Sequence, residues 1–199
     1  MAVLPHQIIF LNGPRHSGKD TAANFIYAAF PLSRLRKFST PLKASVAAMF
    51  NIDPRLVREF EEVGSSAKLV PRKELLGMSW VEALIWLSED VLKPKFGKQF
   101  FGHIMLQQLA GAQPGHLSVI TDSGFADEAF PVIKAFGASN CHLFQLHRLG
   151  CTFDGDSRDY WTIANNKTHI VSNEHDLQMF RIQILKRVCK IMGVEKDLG

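Results

Sequence analysis

The run Ile8-Ile9-Phe10-Leu11-Asn12-Gly13-Pro14-Arg15-His16-Ser17-Gly18-Lys19-Asp20-Thr21 constrains the fold more than any other stretch of the chain. Residues 7 to 12, with Ile8 to Leu11 continuously apolar, read as a strand buried on both faces. In residues 20 to 30, Ala22, Ala23, Phe25, Ile26 and Ala29 are spaced as the apolar side of a helix that Pro31 ends. Between them lies G-x-x-x-x-G-K, the spacing of a phosphate-binding loop. Gly13 and Gly18 permit backbone angles and close approaches that a Cβ would block. The N–H groups of Gly13, Pro14's successors Arg15 and His16, Ser17 and Gly18 can then line one concavity at the positive end of the helix. Lys19 reaches the β- and γ-phosphates as a mobile point charge. The imidazole of His16 matters less here than its backbone N–H.

The position after Lys19 departs from the usual pattern. Asp20 stands where a Ser or Thr hydroxyl normally ligates magnesium, and Thr21 follows one residue later. Asp20 is anionic and suits a metal bound directly or through water. Thr21 points about 100° further round the helix and is the weaker substitute. The competing reading of the whole stretch is an ordinary glycine-rich turn between strand and helix.

The 199 residues suit one domain with a small inserted lobe. A hydrophobic share of 46% and a charged share of 21% specify a globular core rather than disorder. The net charge of +4 fits polyanionic small molecules, and no basic block is long enough for a nucleic-acid tail. Cys141, Cys151 and Cys189 show no C-x-x-C spacing, which excludes a zinc ribbon or disulfide framework and fits a reducing compartment. With no secretory signal and no apolar run of membrane-spanning length, a soluble cytoplasmic protein is expected, with no membrane partner and no nucleic-acid polymer as partner.

Further along, residues 36 to 39 read as a short second strand, and Ser39 or Thr40 as the cap of a helix to about Phe50 with Pro41 in its first turn. Helical segments then crowd residues 51 to 110: one from Asp53-Pro54, a short one at Pro71, one over residues 79 to 91 and one over 100 to 110. Glu59, Glu61 and Glu62 read as a solvated edge, and residues 93 to 98 as a basic loop. Residues 117 to 122 form a strand ending in Asp122, followed by a helix from Gly124 to about Phe136. Residues 141 to 147 and 169 to 171 are strands, and residues 176 to 192 a helix with Leu177, Phe180, Ile184, Leu185 and Val188 on its core side. The alternation predicts an α/β fold: a mostly parallel central sheet with helices on both faces. Residues 51 to 110 are too long for one crossover and read as a helical lobe on the edge of that domain. The polar stretch 148 to 166 reads as a lid.

Ligands of such folds sit at the carboxyl ends of parallel strands. Asp122 closes a strand, so it either holds a magnesium-bound water beside the loop or caps the helix that follows. Arg72 offers a bidentate fork for a phosphate dianion, and alternatively a surface ion pair. Arg148 and Arg158 bracket the lid and would close over a transferring phosphoryl group, unless they are solvated loop charges. Lys43 and Arg36 face either an anion or solvent. Trp80 and Trp86 read as core rather than as base-stacking platforms.

Five segments in order resemble one family. Gly13 to Thr21, with its G-K-D-T ending, Phe38-Ser39-Thr40-Pro41-Leu42-Lys43, Pro71-Arg72-Lys73-Glu74-Leu75-Leu76, Val119-Ile120-Thr121-Asp122-Ser123-Gly124-Phe125 to Glu128-Ala129, and Ile170-Val171-Ser172-Asn173 are similar to the matching segments of phage-type deoxynucleoside monophosphate kinases, a branch of the P-loop kinases. The resemblance implies a P-loop kinase fold whose inserted lobe binds the nucleoside monophosphate, and transfer of the γ-phosphoryl group of ATP to a deoxynucleoside monophosphate with Mg2+. It places Lys19 and the loop amides on the donor phosphates and Arg72 on the acceptor phosphate. Ser39, Lys43 and Asp122 line the acceptor side, with Asp20 and Asp122 as candidate metal carboxylates. Arg148 and Arg158 become catalytic lid arginines. Gly124 stands where the family often has arginine. A homodimer is compatible with the resemblance. The alternatives are another small-molecule P-loop kinase, of the phosphomevalonate or dephospho-coenzyme A type, and a P-loop nucleotide-binding protein without transfer activity.

Overall fold

The computed structural model describes residues 4–62, 66–174 and 176–196. Positions 63–65 of the predicted lobe lie outside the described residues. Five strands form one sheet in the order β2-β3-β1-β4-β5, every neighbouring pair parallel. They are β1 (Gln7–Asn12), β2 (Ser33–Arg36), β3 (Leu117–Ile120), β4 (Cys141–His147) and β5 (Thr168–Ser172). β1 is central and buried along its whole length, as its unbroken apolar run predicts. Its side chains alternate between two cores. Ile8 and Phe10 face one side of the sheet, and Ile9 and Leu11 the other.

On the second side, Ile9 and Leu11 pack against α1 (Lys19–Ala29) and α8 (Leu177–Met192) through Ala22, Ile26, Phe180 and Ile184. Asp176 caps α8, its carboxylate accepting from the Met179 N–H at 2.9 Å. On the first side lie α2 (Ser39–Met49), α3 (Pro54–Glu61), α4 (Trp80–Ile85), α5 (Lys93–Phe96), α6 (Phe100–Gln108) and α7 (Ala126–Phe136). The helices between α2 and β3 do not form a separate core. Phe60, Trp80, Leu87, Phe101 and Met105 belong to the same buried cluster as Ile8, Phe10 and Ile120. This is the α/β arrangement expected from the sequence, a parallel central sheet with helices on both faces and the loop joining β1 to α1.

Several local expectations need correction. The second strand is Ser33–Arg36, upstream of residues 36 to 39, and α2 already begins at Ser39. Pairing decides this, because Arg34 to Arg36 align with Ser118 to Ile120 of β3. The segment after Pro71 is a single 3-10 turn, Lys73–Leu75, not a helix. Of residues 93 to 98, only Gly97 and Lys98 are loop: α4 continues through a π-helical stretch, Trp86–Leu92, into α5, Lys93–Phe96. Pro94 cannot donate to the Asp90 carbonyl and its ring crowds that oxygen; the wider turn accommodates it. Leu177 is 64% exposed rather than core-facing. The helix after Asp122 starts at Ala126, not Gly124.

Candidate active site

The loop between β1 and α1 is held from both sides. A Cβ on Gly13 would lie 2.6 Å from Ser17 Oγ and 2.7 Å from the Leu146 carbonyl of β4. Gly18 has φ 102°, and a Cβ there would lie 2.5 Å from Asn173 Nδ2. His16 adopts the left-handed conformation, φ 63°, that turns the loop between them. Asn173, just past β5, donates from Nδ2 to the Ser17 carbonyl at 3.0 Å, and its own N–H donates to the His147 carbonyl at 2.7 Å. The sequence reading placed this asparagine at the closing strand without a role; the fold makes it a brace of the loop. α1 begins with no side-chain cap at Gly18, so the N–H groups of its first turn are left to a ligand at the loop.

Lys19 folds back over this loop. Its Nζ donates to the carbonyls of Gly13 at 2.7 Å and Pro14 at 2.6 Å. Burial, and then the positive charge of Arg158, push its pKa down to about 8 against the opposing pull of Asp20, Asp156 and Asp122. Lys19, Arg158 and Asp122 thus share one electrostatic neighbourhood. Arg148 is docked on the loop as well, Nη1 donating to the His16 carbonyl at 3.1 Å. Beside it, Gly18, Thr21, Arg148, Asn173, Leu177 and Phe180 line a shallow open cleft. Exposed Leu177, misread as core, is therefore part of the cleft wall.

The two candidate metal carboxylates differ. Asp20 faces solvent, its side chain 70% exposed, with Lys37 Nζ 3.7 Å away. Asp122 lies at the strand ends and accepts from the N–H of Phe38 at 2.8 Å, the N–H of Ser39 at 3.0 Å and the Ser39 hydroxyl at 2.6 Å. Asp122 therefore caps a helix, but α2 rather than the one that follows it in sequence. This contact also brings Ser39 beside Asp122. Among the described residues, no group of three His, Cys, Asp or Glu side chains is arranged to hold a metal ion. A magnesium ion carried mainly by phosphate oxygens and water would need no such cage.

The cations expected on the acceptor side are paired with α3. Lys43 forms a short ion pair with Glu61, which also accepts from Trp80 Nε1 at 3.2 Å. Arg72 donates to Glu59 at 3.4 Å, and its guanidinium lies 5.5 Å from the centre of the Phe60 ring. Glu59 and Glu61 are accordingly not a merely solvated edge. Phe60 stacks on Trp80 with ring centroids 5.2 Å apart, fixing the floor beneath both pairs.

Residues 148 to 166 carry no regular element between β4 and β5. The far half of this stretch is anchored. Asn12 Nδ2 donates to the Asp159 and Ser123 carbonyls at 3.1 and 2.9 Å. Tyr160 stacks on His147, 4.2 Å between centroids, and its hydroxyl donates to the Leu146 carbonyl. Trp161 Nε1 donates to the Ser123 carbonyl at 3.2 Å. Arg158 pairs in two-pronged fashion with Asp156, with Nε donating to Oδ1 at 2.8 Å.

One buried group escaped the sequence reading. Glu128 on α7 is only 5% exposed, and Lys93 Nζ lies 3.4 Å from its carboxylate. Lys93 also bonds Glu89 at 2.7 Å and lies 4.3 Å from the centre of the Phe125 ring. Burial raises the Glu128 pKa to about 7 despite Lys93. An acid at a helix start gave no sign that a lysine 35 residues earlier would meet it.

No family model matches the chain, and no curated protein matches it. Among solved structures, the chain is similar to a gluconokinase from Sinorhizobium meliloti 1021, at 10% identity and a TM-score of 0.48 over 96% of each chain. It is also similar to a sugar kinase from Janibacter sp. HTCC2649, at 10% identity and a TM-score of 0.39 over 98% of this chain and 99% of that one. Neither likeness assigns a role to any residue here. No helix among the described residues is long and apolar enough to cross a membrane.

Proposed function

We propose that the protein transfers the γ-phosphoryl group of ATP to a deoxynucleoside monophosphate, giving the diphosphate. The observation that carries this reading is the neighbourhood shared by Lys19, Arg158 and Asp122 at the carboxyl ends of β1 and β3. A loop lysine alone indicates a bound triphosphate. An arginine from the 148–166 segment acting on that lysine adds what a transfer site needs beyond binding. In this reading the loop and Lys19 hold the donor phosphates, and the cleft by Thr21, Arg148 and Leu177 takes the nucleoside. Arg72 and Lys43 exchange Glu59 and Glu61 for the acceptor phosphate, with Ser39 and Asp122 beside it.

An acceptor phosphate oxygen forms the new bond to the γ-phosphorus as the bond to the ADP oxygen breaks and its electron pair leaves with ADP. The arginines keep their protons throughout and act by charge and position. Asp20 and Asp122 are the carboxylates that would hold Mg2+ through water. Magnesium, when bound with ATP, offsets charge on the β- and γ-oxygens.

The test is acceptor-dependent ADP release across the deoxynucleoside and ribonucleoside monophosphates, phosphomevalonate and dephospho-coenzyme A. Turnover confined to nucleoside monophosphates supports the proposal. Turnover with one of the other acceptors reassigns the substrate, and tight ATP binding without any acceptor-dependent ADP refutes transfer altogether.

A further inference from the structure

Gly124 lies two residues beyond Asp122, and its backbone does not call for glycine: its φ is outside the left-handed region. What calls for glycine is space. A Cβ there would sit 2.3 Å from Cδ, 2.6 Å from Cγ and 3.2 Å from Cβ of Arg158. Three consecutive carbons of the arginine stem therefore run along the bare Cα of Gly124.

The arginine cannot simply step aside. The clash falls hardest on Cγ and Cδ, in the middle of its stem, and not on its guanidinium end alone. The backbone just after it is tied down, because Asn12 bonds the carbonyls of both Asp159 and Ser123, and Trp161 bonds the Ser123 carbonyl from the other side. The guanidinium is fixed in turn by Asp156, within reach of the charges of Lys19, Asp122 and Glu128.

We propose that Gly124 is a positioning residue for Arg158: the missing side chain at 124 forms the slot that aims the arginine at the transferring phosphoryl group. This rests on the transfer reading given above. It goes further by assigning to one glycine the placement of a charge delivered from a segment 34 residues away in sequence. A side chain at 124 and the stem of Arg158 are then alternatives for the same volume.

Steady-state kinetics and thermal melting of G124A, R158A and G124A/R158A test it. G124A is expected to lower kcat about 100-fold, as for a misplaced catalytic group, with the ATP KM held within about twofold. The double variant should be no slower than R158A within about threefold, because both changes remove the same interaction. Multiplying losses in the double variant, or a G124A kcat equal to wild type, would overturn the inference. If G124A does not fold, the exchange G124R/R158G decides, since it grows an arginine from the other side of the same contact. At least about tenfold more activity than R158G supports the slot; no recovery overturns it. A wild-type chain that makes no acceptor-dependent ADP refutes the transfer reading itself, whereas an active wild type indifferent to G124A refutes only this inference.

Discussion

Lys19 should make nucleotide binding depend on pH in a range where lysines are normally inert. Its pKa falls from 10.5 to about 8 because the ammonium is buried and faces Arg158. The sign follows directly. A lysine with a depressed pKa loses its charge as pH rises through the depressed value, and a triphosphate requires the charged form. If only the ammonium binds, apparent Kd grows about twofold from pH 7 to 8 and about tenfold by pH 9. The ligand adds nothing to this slope, because a phosphate's second ionisation, near pH 6, is then already complete. Bound phosphate would replace the Gly13 and Pro14 carbonyls as acceptors and raise the lysine pKa again, so binding above about pH 8 should take up protons. Isothermal titration of Mg-ATP in two buffers of different ionisation enthalpy reads both the affinity and the uptake. In Lys19→Arg the cation cannot titrate, and the slope should vanish. A wild-type Kd that stays flat between about pH 7 and 9, or a slope that survives in Lys19→Arg, would refute the reasoning.

Three further outcomes are expected. Arg72→Ala should raise the acceptor KM about tenfold with kcat little changed, the pattern of lost uniform binding, whereas Lys19→Ala should impair use of the donor; initial rates over both substrates separate them. Glu128 has its pKa raised from 4.5 to about 7, so the folded state holds a proton that the unfolded chain has lost between those values, and stability falls as pH rises through that window. Glu128→Gln should flatten the fall, worth on the order of 3 kcal/mol, in urea titrations from about pH 4.5 to 7. Asp122→Ala should cost about 2 kcal/mol of folding stability by uncapping α2, and Ser39→Ala about 1 kcal/mol, both measured by urea unfolding; equal stability of Asp122→Ala and wild type would show that the capping bonds carry no weight.

The strand–loop–helix unit from β1 to α1 was legible because its requirements are local. A buried strand, glycines where backbones crowd, and a lysine at a helix start are all written within residues 7 to 30. The strand-ending Asp122 was also legible, because parallel strands carry unbroken apolar runs. Its partner was not: three donors from Phe38 and Ser39 reach it across 83 or 84 positions. The start of α2 was misplaced for the same reason, since its capping carboxylate comes from another strand's end. Lys93 read as part of a basic loop from its lysine-rich surroundings, and only the docking of α5 near α7 sets it against Glu128.

The sequence by itself determined the sheet class, the loop and its lysine, because backbone propensity and apolar periodicity act over a few residues. Only the tertiary structure decided which charges face one another: Lys43 with Glu61, Arg72 with Glu59, Arg148 with the loop carbonyl, and Arg158 over Gly124. Charge–charge and steric contacts depend on distance in space, and these partners stand from 13 to 132 positions apart in sequence, beyond the reach of any local pattern.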